Sequence, residues 1–160
     1  GKNDQNAQNC VVTVTECHNT GNIQGLNKGG GIFGLLDAVQ AVFSNCTNAG
    51  TINGPSSIGV FHGGFIGTNE NTVEVYNCTN TGNVESAGDN NAFTGGFIGY
   101  SHHAIAINVT NKGDISSSSV YITVAAGFAG ILHCDKDERH YFQDCVNEGD
   151  VSVKHERKQG

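Results

Sequence analysis

Charge, proline and long flexible side chains are scarce in this chain of 160 residues. Only 14% of the residues are charged, with a formal net charge of -7. Binding nucleic acid or an anionic membrane requires a basic face that neutralises phosphate, so this composition argues against both. Methionine and tryptophan are absent and leucine occurs four times, so long helices are not expected. No apolar run approaches the ~20 residues of a helical membrane span, and no basic-then-apolar leader opens the chain. Position 1 is Gly instead of Met, as expected of a mature or excised fragment.

A single proline accompanies 23 glycines and 19 asparagines. Glycine and asparagine tolerate positive φ, so they are expected to make the corners. Many tight corners imply many short strands, and the fold class expected is all-β.

The chain repeats itself. One half of the unit reads ECHNTGNI (16–23), NCTNAGTI (45–52), NCTNTGNV (77–84), NVTNKGDI (108–115) and DCVNEGDV (144–151). The other reads GGIFG (30–34), GGFIG (63–67), GGFIG (95–99) and AGFAG (126–130). Between them lie alternating β-branched stretches such as VVTVTEC and TVEVYNC. Equivalent asparagines are 29, 32, 31 and 36 residues apart, an irregularity that requires loops of variable length between the repeated windings. Leucine-rich repeats need a leucine ladder that four Leu cannot supply, and propeller blades run about 40–45 residues. The pattern predicts a right-handed parallel β-helix of four to five coils, three short strands per coil, over residues 10–153. Residues 1–9 form a polar linker or cap, and 154–160 a charged tail.

Stacked windings bring like residues together. Asn19, Asn48, Asn80, Asn111 and Asn147 are expected to form an amide ladder, each side chain donating to one neighbour and accepting from the other. Gly21, Gly50, Gly82, Gly113 and Gly149 follow where a left-handed or crowded backbone excludes a side chain. Ile23, Ile52, Val84, Ile115 and Val151 make one inward column, and Phe33, Ile66, Ile98 and Ala129 another. By strand periodicity Phe65, Phe97 and Phe128 face the other way. Cys17, Cys46, Cys78 and Cys145 share one position, with Val109 in the fifth slot, which reads as a reduced apolar column. A bridge between neighbouring rungs, Cys17–Cys46 or Cys46–Cys78, remains compatible with strand spacing. Cys10 and Cys134 stand outside the column.

Two further patterns carry chemistry. Aligning the segments after Gly99 and Gly130 pairs His102 with His133 and His103 with Cys134, a set able to hold zinc or copper with Asp135 or Asp137. The blander reading, a coincidence among seven histidines, is preferred, and no cofactor is expected. Asn45, Asn77 and Asn108 each head an Asn-x-Thr glycosylation sequon at one repeat position, though the turn alone also explains their recurrence.

The G-[IF]-[IFA]-G steps at 31–34, 64–67, 96–99 and 127–130, joined to the Asn-Cys-Thr-Asn-x-Gly turns, resemble the GLUG-type repeats of bacterial and secreted cell-surface proteins, including adhesins. The resemblance spans about residues 10–153. It implies an extracellular or cell-surface stalk or adhesive module without a catalytic motif. The function expected is a non-catalytic structural or adhesive segment of a larger surface or filament-forming protein. Its expected partners are neighbouring repeats or subunits, through end-to-end or filament assembly, or a glycan ligand. The alternative is a carbohydrate-binding module or a polysaccharide-active β-helix enzyme. For that reading the acidic residues Asp135, Asp137, Glu138 and Asp144 and the loops 85–94 and 131–143 are the places to look.

Overall fold

A computed structural model describes residues 10–25, 27–56, 58–134 and 139–156. Among them there is no helix; the elements are strands joined by bends. All strand pairings are parallel, and the chain winds as a β-solenoid of about four turns.

Four sheets run along the winding axis. The long sheet stacks Val11–Thr15, Gln40–Ser44, Ile66–Tyr76, Ile98–Ile107 and Ala129–Leu132, with Phe33–Leu36 and Tyr141–Gln143 as partial rungs. The corner sheet stacks His18–Asn19, Thr47–Asn48, Thr79–Asn80, Thr110–Asn111 and Val146–Asn147. The third contains Ile23–Gln24, Ile52–Asn53, Val84–Gly88, Ile115–Ser119 and Val151–His155, with Pro55–Ser56 beside Val84–Gly88. The fourth stacks Lys28–Gly30, Val60–Gly63, Ala92–Gly95 and Thr123–Ala126. Four sheets stand against the three strands per coil expected from sequence, because the pair ending in the ladder asparagine of each turn, Thr-Asn in three of the five, is itself a two-residue strand. The last strand reaches His155, two residues into the expected tail. Residues 1–9 and 157–160 lie outside the described residues.

The Gly-Gly-Phe-Ile-Gly segments are corners, which corrects the expected facing of the phenylalanines. Gly63 ends one strand and Ile66 begins the next, with Gly64 and Phe65 in the bend between. The amides of Phe65 and Ile66 both donate to the Phe97 carbonyl at 3.0 Å, and those of Phe97 and Ile98 both donate to Phe128 at 2.9 Å. Two successive amides sharing one acceptor break the alternation of a strand, so both side chains turn inward. Phe65 and Phe97 are buried together with Ile66 and Ile98. Their rings stack on the same column, 4.8 Å from Phe65 to Phe97 and 5.9 Å from Phe97 to Phe128.

The main core joins this column to Phe43, Val73, Val75, Ala104 and Ala106 of the long sheet and to Cys46, Cys78 and Val109. A second cluster contains Ile52, Val84 and Ile115, with Ile23 partly buried against it. Val151, expected inward in the same column, is 45% exposed, with no rung over it among the described residues.

Candidate functional site

Each winding turns into the corner sheet through one residue with left-handed backbone: Glu16, Asn45, Asn77, Asn108 and Asp144, at φ between 50° and 55°. Asparagine and aspartate adopt this region more readily than most residues, which supplies a conformational reason for the repeated asparagine of the sequons. The next residue points into the core. The cysteine column then satisfies itself locally: Cys46 Sγ donates to Ser44 O at 3.2 Å, and Cys78 Sγ to Tyr76 O at 3.2 Å. Cys10, Cys17, Cys46, Cys78 and Cys145 are free thiols. Burial pushes the Cys78 thiol up to about 11 and raises that of Cys145. Neither forms much thiolate at neutral pH, so these two thiols lack the character of a nucleophile or a soft metal ligand.

Two residues further on, the asparagines pile in one row. Asn19 Nδ2 donates to Asn48 Oδ1, Asn48 to Asn80, Asn80 to Asn111, and Asn111 to Asn147, each at 2.7 Å. The same nitrogens donate to the carbonyls of Gly21, Gly50, Gly82, Gly113 and Gly149 at 2.8–2.9 Å. Both amide hydrogens of an internal asparagine are thereby used, which matters because Asn48, Asn80 and Asn111 are fully buried.

The glycines of the turn have no positive φ; crowding excludes a side chain. A Cβ on Gly50, Gly82, Gly113 or Gly149 would lie 2.0–2.1 Å from the carbonyl oxygen of the equivalent glycine one rung below. Gly21, on the first rung, meets nothing closer than 3.8 Å. A second set was not singled out from sequence: Gly31, Gly64, Gly96 and Gly127 pack on the ladder itself, where a Cβ would lie 2.5–2.7 Å from Asn48, Asn80, Asn111 and Asn147 respectively. The two halves of the repeat meet there. Their constant co-occurrence was the available signal.

Outside the ladder, Asn45, Asn77 and Asn108 are exposed, and Asn108 Nδ2 donates to Asn77 Oδ1 at 2.8 Å. The register sets His102 beside His133, ring centroids 4.8 Å apart, with Glu70 Oε2 3.8 Å from His102 Nε2. His103 lies against Thr72 and His140. His140 went unnoticed in the sequence. Its Nδ1 accepts from the Ala104 amide at 3.1 Å, so its Nε2 carries the proton donated to the His133 carbonyl at 3.0 Å. Both nitrogens are occupied structurally. Among the described residues no group of three or more His, Cys, Asp or Glu is placed to hold a metal ion. Asp135, Asp137 and Glu138 lie outside the described residues.

One buried histidine also escaped sequence reading. His62 is fully enclosed, in the column Gly29, His62, Thr94, Ala125, where the absent side chain of Gly29 makes room for the ring. Its Nδ1 donates to the Glu85 carbonyl at 2.8 Å, and burial lowers its pKa.

Compared with protein-family models, curated proteins and solved structures, the chain matches none.

Proposed function

We propose that the chain is a non-catalytic structural or adhesive segment of a larger cell-surface or filament-forming protein, akin to GLUG-type repeat proteins and working outside the cell. The observation that carries this reading is the unbroken row from Asn19 to Asn147, in which the two amide hydrogens of each internal side chain bind its own turn and the rung above. A column built of self-stacking groups converts sequence length into rigid physical length. In this reading the winding is right-handed, as crossovers between parallel strands overwhelmingly are, and the exposed sequons along one edge accept glycans.

A second reading is favoured by one feature of the third sheet. An open groove of about 300 Å³ runs over its outer face, lined by polar residues that include Gln24, Asn53, Glu85, Ser116 and Ser118. Such a surface suits a carbohydrate chain. The test is two-part. Antibody labelling and protease shaving of intact producing cells are expected to reach the segment, and a polysaccharide panel is expected to show no turnover. An intracellular protein, or turnover of any panel member, overturns the proposal; glycan binding lost on Gln24→Ala with Ser116→Tyr selects the second reading.

A further inference from the structure

The two ends of the stack are complementary to each other. At the C-terminal end the edge strands Tyr141–Gln143, Val146–Asn147 and Val151–His155 carry no strand above them among the described residues. Their apolar groups are open: Phe142 is 38% exposed, Val146 49% and Val151 45%. At the other end Val11–Thr15, His18–Asn19 and Ile23–Gln24 have no strand below them among the described residues. These are the same three positions of the winding.

From this juxtaposition we infer that the C-terminal rung of one copy docks on the N-terminal rung of a second copy, extending the three sheets head to tail. The inference rests on the structural reading above and names its partner. Continuing the observed registers places Val14 of the second copy over Phe142, Ile23 over Val151, and Asn19 over Asn147. The polar groups match in sign. The ladder donates upward throughout, so Asn147, whose Nδ2 serves only Gly149, presents its second hydrogen to the Asn19 Oδ1 of the next copy. Outside the ladder, the Asp150 amide donates to Asp114 Oδ1 one rung below, and the same step carried on sets Asp150 beneath Asn22 of the second copy.

Two features shape the joint. The first winding rises as it closes, so room for one strand remains between Thr123–Ala126 and the second copy's Lys28–Gly30, and likewise between Ala129–Leu132 and Phe33–Leu36. Glu16 of the second copy stands over Asp144, a like-charged pair at the exposed corner. Salt screens that pair, so association strengthens as salt is added. Because the two faces differ, the contact is heterologous and gives open filaments in place of closed dimers.

The column of thiols provides a direct test. In the joint Cys17 of one copy sits on Cys145 of the other, about 4.8 Å apart, whereas within one chain they are four rungs, about 19 Å, apart, beyond the reach of a disulfide. Concentrated protein is treated with diamide, which is reduced to the hydrazine as two thiols become one disulfide, and the bridges are mapped by mass spectrometry. A Cys17–Cys145 bridge in species of multiple mass is expected, increasing with salt. Sedimentation then compares Val151→Lys, Ile23→Lys and their equimolar mixture, with circular dichroism checking that each is folded. Each variant alone is expected to stay monomeric and the mixture to form one dimer, since each retains one intact end. Monomeric wild type with only Cys17–Cys46 bridges, like-with-like bridges, or a mixture that does not pair overturns the inference. If a lysine variant unfolds, the bridge map decides alone. Labelling of the cell surface is a separate readout, so failure to assemble leaves the surface assignment standing.

Discussion

Replacing Asn80 by alanine isolates the ladder from the rest of the core. The side chain accepts from Asn48 and donates to both Asn111 and Gly82, all within 2.8 Å and all away from water. Asn80→Ala leaves one buried amide hydrogen on Asn48, one oxygen on Asn111 and the Gly82 carbonyl without partners. At about 1–3 kcal/mol for each buried unsatisfied group, with partial relaxation, the cost is about 3–6 kcal/mol. Asn19→Ala is the internal control. It removes the same chemical group from the first rung, where the side chain is partly open to water, and costs about 1 kcal/mol. Equilibrium urea unfolding followed by circular dichroism gives both values on one scale. Equal losses in the two variants, or a loss below 1 kcal/mol for Asn80→Ala, would refute the idea that stacked amides hold the corner.

The turn glycines should divide in the same manner: Gly82→Ala forces a carbonyl 2.1 Å away to move and prevents stable folding, while Gly21→Ala, with nothing inside 3.8 Å, leaves the melting temperature nearly unchanged. Phe97→Ala empties the middle of the stacked column and costs about 3–5 kcal/mol by urea unfolding, whereas Tyr121→Ala, 60% exposed, stays within about 0.5 kcal/mol of wild type. His62 is held neutral by burial, its folded pKa lying below the unfolded 6.5, so the unfolded chain binds the extra proton first; stability is full above pH 6.5 and is lost as pH falls from there toward the folded value, and His62→Gln flattens that dependence in urea melts taken across pH. Alkylation with iodoacetamide at neutral pH should modify Cys17 and Cys10 quickly and spare Cys46 and Cys78 until the chain unfolds, as peptide mass mapping would reveal.

Much of the architecture was legible because a solenoid writes its contacts into its period. Residues that touch, such as Asn48 and Asn80, are identical letters at equal offsets, and the columns of Ile52, Val84 and Ile115 follow from the same alignment. The facing of Phe65 and Phe97 was not legible, since the two-residue alternation holds inside a strand and fails where two amides share one carbonyl. His62 was hidden for the opposite reason: its column holds a different residue on every rung, so the match between its bulk and the missing side chain of Gly29 leaves no repeated letter. The link between the second glycine of each corner and the ladder asparagine was present in the sequence as a fixed co-occurrence, but only the path of the chain shows that the two touch. The histidines near 102 and 133 were correctly paired by register, while the role of His140 depended on a loop whose length no other winding shares.

Through-hydrogen-bond couplings in isotope-labelled protein test the stacking most directly. The corner sheet requires couplings from the amides of Thr47, Thr79, Thr110 and Val146 to the carbonyls of Cys17, Cys46, Cys78 and Val109, with N to O distances of 2.9–3.1 Å. Finding those four partners establishes windings laid over one another in this register; amides coupled instead to carbonyls of a neighbouring hairpin strand would contradict it.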